Sequence, residues 1–244
     1  MLLPETLPAS PVAFSSISSE IIEQINCEVL FTIPVPFIEG GIPVYESTVV
    51  TWIIMAAITL ICALLTRKME LIPGKRQMFV EACVKWIRDF CYDNMGEGGM
   101  RYCPYLGTVL IYIGAANIIG LFGLKPPTKD LSVTMALAIM SIILIEGATI
   151  RKHKLGFFKT LAKPTGIMLP MNIMEIGIRP LSLCLRLFGN VVAAFIIMEL
   201  IKYVCPVVLP LPFSFYFDLF DGCLQAYIFV FLTSLFISEG IEED

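Results

Sequence analysis

An all-α integral membrane protein, with about five membrane-embedded helices and one amphipathic surface helix, is the fold class this sequence predicts. Three observations predict it. Hydrophobic residues make up 57% of the 244 and charged residues only 16%, against roughly 25% charged in an ordinary soluble domain. Several uncharged runs are long enough to cross a hydrocarbon core of about 30 Å. Lys and Arg gather in alternate connecting segments, as the positive-inside rule requires of a multi-pass chain. The net charge of −4 discriminates little, because location matters more than the sum.

Residues 1–46 read as an external N-terminal arm and interfacial loop, and residues 47–244 as one membrane-embedded domain. Met1 to Ile33, with Pro4, Pro8, Pro11 and several serines, is an exposed arm. No Lys or Arg precedes Arg67, so this stretch lacks the basic start of a signal peptide. Pro34 to Tyr45 (PVPFIEGGIPVY) carries the Pro and Gly of a loop. Ser47 to Thr66 is then an uncharged run between Glu46 and Arg67–Lys68, the first transmembrane helix.

Pro73–Gly74 breaks the chain before KRQMFVEACVKWIRDFCYDNM. Phe79, Cys83, Trp86, Ile87, Phe90 and Cys91 recur there at helical spacing, while Lys75, Arg76, Glu81, Lys85, Arg88 and Asp89 share the remainder. Too charged to span, the segment is expected to lie on the membrane surface. Glu97 to Met100 reads as a loop without a phosphate-binding pattern. Tyr102 to Leu124 is a second apolar span, ended by LKPPTKD, and Leu131 to Ile150 is a third, with Glu146 near its far end. Seven Lys/Arg lie between Arg67 and Arg101, two in the 125–130 turn and five in residues 151–163. The 67–101 and 151–163 segments are therefore expected in the cytoplasm, and the arm and the 125–130 turn outside. These assignments agree with strict alternation.

From Pro170 to Lys202 the chain would extend about 50 Å as helix, more than a bilayer needs, so it must tilt strongly, bend or lie partly along the membrane. Pro180 makes a bend plausible. Cys205 to Pro212 is an external turn, Phe213 to Ser238 the last long span, and EGIEED an acidic cytoplasmic tail. No internal repeat is evident.

The costliest residue in these runs is Arg186. A permanent charge at mid-membrane costs roughly 3 kcal/mol or more, and Arg cannot escape by losing its proton. At about 100° per residue, Ser182, Arg179, Glu175, Asn172 and Asn190 all fall within about 40° of it, in one narrow polar stripe. In lipid such a stripe faces protein or water: either a structural network between helices or a hydrophilic path for an ion, interrupted by a fixed positive charge. The last span adds Asp218, Asp221 and Gln225, spaced i, i+3, i+7 on one face. Carboxylates there can exchange protons or concentrate cations, and Gln225 is placed to hydrogen-bond the Arg186 guanidinium.

SLCLRLFGNVVAAF, PPTKDLSVTMALA, PGKRQMFVEACVKWI and LFDGCLQAYIFVFLTSLFIS together resemble subunit a of the membrane sector of F-type ATP synthases, from about Phe37 to the C-terminus. The family's essential arginine falls on Arg186 and its glutamine on Gln225. The resemblance implies two offset aqueous half-channels against a rotating ring of c subunits, each carrying an ion-binding carboxylate. The external half-channel would involve Asn190, Asp218, Asp221 and Gln225; the cytoplasmic one, Ser182 with Glu175 and Asn172. Arg186 would attract each ring carboxylate in turn and block leakage between the two. Partners implied are the c ring, b-type stator subunits on the 75–95 surface helix, the rest of the complex and the lipid of a bacterial cell membrane. Two departures stand out. Phe195 occupies a position that is acidic in many members, whose A-G-E pattern reads AAF here. Asp218 occupies one that holds His in some and an acid in others; the two positions could compensate, with Asp218 taking over the protonatable role, and the sequence leaves open whether it does.

No cofactor, metal or nucleic acid is expected. The eight cysteines form no CxxC pair and lie mostly in apolar runs as packing residues, and the single His153 sits among lysines. A chain that is not itself an enzyme is expected, because HExxH, GxSxG and Walker-type motifs are missing. A secondary transporter is the alternative class, disfavoured by the lack of repeats. The expected ion is H+, with Na+ as the alternative, since the ring's binding site decides.

Overall fold

The computed structural model describes residues 29–33, 42–67, 74–122, 126–153, 169–204 and 210–242. The expected arm before residue 29, the loop at 34–41, the basic segment from 154 to 163 and the turn at 205–209 lie outside these residues.

Two strands precede the helices, where the sequence reading expected only arm and loop. β1 (Val29–Ile33) pairs antiparallel with β2 (Ile42–Tyr45), Ile33 opposite Ile42 and Val29 opposite Tyr45. The sequences VLFTI and IPVY are rich in β-branched and aromatic residues, which suit a paired ribbon. Glu46 follows directly as the first residue of α1 (Glu46–Thr66). Only Ser47, Val50 and Ile54 of α1 are buried, so most of its apolar surface faces outward, as lipid permits.

α2 (Lys75–Gly99) is the expected charged helix, and it turns at Gly96, whose φ of 62° only glycine adopts without strain. The expected loop at 97–100 is thus a break at Gly96 followed by a helical turn. Phe90 anchors α2, 5.3 Å from Tyr227 and 6.4 Å from Phe231. Phe79 and Trp86 remain 69% and 55% exposed, so the N-terminal half of α2 presents apolar side chains outward.

α3 (Cys103–Ile118) has 16 residues, about 24 Å of helix, flanked by 3-10 turns at Met100–Tyr102 and Ile119–Phe122. α4 is Leu131–His153 and α5 is Leu169–Val204, which continues as one helix through Pro180. The last helical unit runs as α6 (Pro210–Ser214), a π-turn (Phe215–Asp221) and α7 (Gly222–Glu242). Among the described residues four helices are long and apolar enough to cross a membrane: Glu46–Thr66, Leu131–Lys152, Met174–Lys202 and Pro212–Ile241. The fifth expected membrane helix, α3, is the short one, and it is buried on many sides, including Leu106, Ile113 and Ala116 at 0% exposure.

α7 is central: it packs against α2, α3, α4 and α5, while α1 rests on α3 and α5 rests mainly on α4. Their common core includes Ile54, Cys91, Leu106, Ile113, Ile145, Leu187 and Phe229. Cys91 and Cys103 meet there, and burial pushes the Cys91 thiol up to about 12, which keeps it protonated and inert. Lipid offers helices no hydrophobic reason to associate, so polar bonds between them carry weight. Ser47 Oγ donates to Asp130 Oδ2 at 2.6 Å. Asp130 also caps α4, accepting from the Ser132 amide at 2.9 Å through Oδ1. Asn117 donates to the Gly222 carbonyl at 3.1 Å and accepts from Thr128 Oγ1 at 3.1 Å.

Because Asp130 serves both α1 and the α4 N-terminus, Asp130→Ala is expected to destabilise the chain by about 1–2 kcal/mol. A lowered thermal unfolding midpoint of the solubilised protein checks this, and Asp130→Asn, which keeps an acceptor oxygen, should lose less.

Candidate functional site

α5 presents two unlike faces. Leu183, Cys184 and Leu187 are at 1%, 0% and 0% exposure, and they turn toward α4, where Thr134 Oγ1 lies 3.6 Å from Cys184 Sγ. Ser182, Arg186 and Asn190 are exposed on the other side. The 3.6-residue period that grouped these residues holds because α5 is a single helix across Pro180. Asn172 belongs to the same helix, though its side chain lies outside the described residues.

The two arginines of the stripe have opposite surroundings. Arg179 donates to Glu175 Oε1 at 3.0 Å and to Glu239 Oε2 of α7 at 2.9 Å, and its guanidinium lies 4.9 Å from the Phe236 ring centroid. Its side chain is only 14% exposed. Arg186, two turns further along, makes no ion pair or hydrogen bond among the described residues. Glu175, grouped with Asn172 and Ser182 by the sequence, is thus engaged by Arg179. The Arg179–Glu239 link had no signal in the sequence, because Glu239 lies 60 residues away.

Gln225 does not take the place expected for it. Its Oε1 accepts from Asn190 Nδ2 at 2.8 Å rather than from Arg186. The amide is 1% exposed, and its Nε2 has no partner among the described residues. An amide pair satisfies a buried carbonyl without bringing a charge under the helix, which explains the preference. The bond also ties the polar side of α5 to α7.

Asp218 and Asp221 lie in the π-turn, both half-buried. Ser214 Oγ donates to Asp218 Oδ2 at 2.7 Å. A π-turn closes i→i+5 hydrogen bonds and takes more residues per turn than an α-helix, so arithmetic at 100° per residue fails across it. Asp218 consequently meets Gly120 in the 3-10 turn after α3, whereas Gln225 meets Asn190 of α5. The one face read from their spacing is divided between two neighbours. Phe195 lies beneath a cation: Lys129 Nζ, on a residue 5% exposed, is 3.8 Å from its ring centroid. Sequence reading missed Lys129, Asn117 and Gly120; the resemblance of PPTKDLSVTMALA marked the first region without assigning a contact.

Comparison with known proteins bears on this geometry. The family model described as ATP synthase A chain matches residues 48–238. A protein of Moorella thermoacetica named ATP synthase subunit a is 35% identical over 204 residues, covering 83% of this chain and 93% of its own. One of Hahella chejuensis named ATP synthase subunit a 1 is 31% identical, covering 84% and 87%. One of Propionigenium modestum named ATP synthase subunit a, sodium ion specific, is 29% identical, covering 82% and 75%.

The open stripe is testable by thiol labelling after the eight native cysteines are replaced by serine. In the solubilised chain, Ser182→Cys, Arg186→Cys and Asn190→Cys should react with a water-soluble maleimide several-fold faster than Leu183→Cys or Leu187→Cys. Equal rates at 186 and 187 would contradict the two-faced helix.

Proposed function

The chain belongs to the ATP synthase A chain family, and from that membership we propose that it forms two half-channels that carry protons past a rotating c ring. As a member it is a multi-pass membrane-sector subunit of the rotary complex, serving ion transport coupled to ATP synthesis. The finer reading concerns which residues do this and against which partner.

The observation that carries it is the contrast between Arg179, paired twice, and Arg186, exposed and unpaired among the described residues. A guanidinium stays cationic in any environment a protein offers. Left on an open apolar-flanked face, it attracts a carboxylate from a neighbouring molecule. A ring carboxylate fits that role: it is drawn in ionised by Arg186, and it must be neutralised by an ion before it re-enters lipid, where a naked charge is prohibitive. The fixed charge also repels cations and so separates the two water-filled paths.

The external path comprises Asn190, Gln225, Asp218 and Asp221. Asp218 and Asp221 exchange protons with outside water, and the Asn190–Gln225 pair leads toward the ring. Ser182, with Glu175 and Asn172, borders the cytoplasmic path. Each charge moved through the membrane potential supplies about 2.3 kcal/mol per 100 mV, so several ions serve each ATP. The N-terminal arm lies outside a bacterial cell membrane and the C-terminus in the cytoplasm, as the Lys/Arg distribution indicates. α2 faces the b-type stator subunits; its exposed Phe79 and Trp86 supply apolar contact.

Sodium is a second reading, supported by the Propionigenium relative's printed name. Na+-independent ATP-driven pumping supports protons; stimulation by millimolar Na+ with loss of the pH gradient supports sodium.

Arg186→Ala should abolish ion-driven ATP synthesis in membrane vesicles while the complex still assembles, and Arg186→Lys should not restore it, because a desolvated Lys can discharge. Undiminished synthesis in Arg186→Ala overturns the assignment. Asp218→Asn should slow ion translocation more than Asp221→Asn, measured as the initial rate of ATP-driven pumping.

A further inference from the structure

At the outer part of the α3–α7 contact, two glycines and two polar side chains interlock reciprocally. Gly120, in the 3-10 turn that follows α3, faces Asp218 of the π-turn: a Cβ placed on Gly120 would lie 2.9 Å from Asp218 Oδ1. Three residues earlier, Asn117 of α3 enters the space left by Gly222, where a Cβ would lie 2.6 Å from Asn117 Cβ. The end of α3 with its 3-10 turn, and the π-turn with the start of α7, thus each contribute one polar side chain and one bare Cα. The Asn117 amide is oriented by Thr128 Oγ1, which donates to its carbonyl oxygen at 3.1 Å and so directs its NH2 to the Gly222 carbonyl, also at 3.1 Å. Thr128 and Asn117 are 0% and 5% exposed. Gly222 is the first residue after the π-turn, and this bond therefore holds the turn at its end.

We propose that Asn117 and Gly120 are positioning residues for Asp218, and that the interlock sets where its carboxylate stands. The inference rests on the reading of Asp218 as a proton-exchanging group. A wide turn leaves its side chains free to swing unless neighbours fix them, and three contacts do so here. Ser214 holds one carboxylate oxygen at 2.7 Å. Gly120 receives the other, and Asn117 stops the turn from sliding along α3. The obstacle a new Cβ at 120 would meet is the far end of the Asp218 side chain, not backbone. Gly120→Ala is accordingly accommodated by moving the carboxylate, with the helices left in place. Gly222→Ala differs, because its Cβ would strike the Asn117 Cβ and part the helices.

The two positions touch, so a carboxylate carried by residue 120 would occupy nearly the same space as one carried by residue 218. The test uses membrane vesicles holding the assembled complex, with subunit content measured alongside ATP-driven pumping across a pH series. Gly120→Ala should assemble yet lower pumping roughly tenfold to a hundredfold, and should displace the pH profile, which a purely structural role would not do. In the Asp218→Gly background, Gly120→Ala should add no further loss. The exchange Gly120→Asp with Asp218→Gly should recover pumping several-fold above Asp218→Gly alone; it decides the matter even where Gly120→Ala fails to assemble. Full activity of Asp218→Gly removes the reading of Asp218 itself. An impaired Asp218→Gly, together with an unimpaired Gly120→Ala or with no recovery in the exchange, overturns the interlock while leaving that reading in place.

Discussion

A guanidinium that cannot be discharged is the constraint on which the rest of this structure depends. Two of them stand on one stripe of α5, and the chain treats them differently. Arg179 receives carboxylates from its own helix and from α7, with an aromatic ring beneath it. Arg186 receives none among the described residues, on the exposed side of the same helix. The difference follows from how α5 is mounted. Its apolar face, through Leu183, Cys184 and Leu187, is sealed against α4, and its polar side is tied to α7 through Arg179 and Asn190, which leaves Arg186 between them exposed. Had Arg186 been packed as Arg179 is, it would need an internal carboxylate, and on the proposed function a permanently satisfied charge could not serve a succession of partners.

The mounting of α5 depends in turn on how the helices hold together without water to drive them. Individual interhelical hydrogen bonds in membranes contribute only about 0.6 kcal/mol on average, so no one of them suffices. Here they are concentrated around the 126–134 segment. Asp130 joins α1 to the start of α4, Thr128 joins that segment to α3 through Asn117, Thr134 reaches Cys184 of α5, and Lys129 covers Phe195. One short segment therefore touches α1, α3 and α5. Its Thr128, Lys129, Asp130 and Thr134 are buried, an arrangement sustained by polar partners.

What the sequence revealed was whatever depends on hydrophobic runs and unbroken periodicity. The four long apolar helices were legible from run length, and the Ser182–Arg186–Asn190 face from the 3.6-residue period, because α5 passes Pro180 as one helix. The face assigned to Asp218, Asp221 and Gln225 was not legible in the same way. Nothing in FYFDLFD announces a π-turn, and one such turn sends Asp218 to Gly120 beyond the end of α3 while Gln225 pairs with Asn190. The Arg179–Glu239 pair and the Asn117–Gly222 contact were hidden for another reason: they join positions 60 and 105 residues apart, and local patterning carries no information about such partners. The β1–β2 ribbon was masked by the Pro and Gly of its connection, which dominated the reading of the strands beside them.

The surroundings of Arg179 and of Asp218 are consequently built to different tolerances. Toward Arg179 the links are ion pairs whose carboxylates, Glu175 and Glu239, are 49% and 47% exposed. Such pairs contribute about 1 kcal/mol or less and weaken with salt. Toward Asp218 the links are glycine contacts and the hydrogen bonds of Asn117 and Thr128, side chains almost wholly buried, which salt does not screen. On the proposed function, a soft end suits a wide, water-filled path, where exact placement of carboxylates matters little. On the same proposal, a rigid end suits a place where a carboxylate must meet a passing group at fixed distance, since an ångström of misplacement can remove about two orders of magnitude in rate. The bare Cα atoms of Gly120 and Gly222 are how a bundle of otherwise large apolar side chains brings two backbones close enough to achieve that.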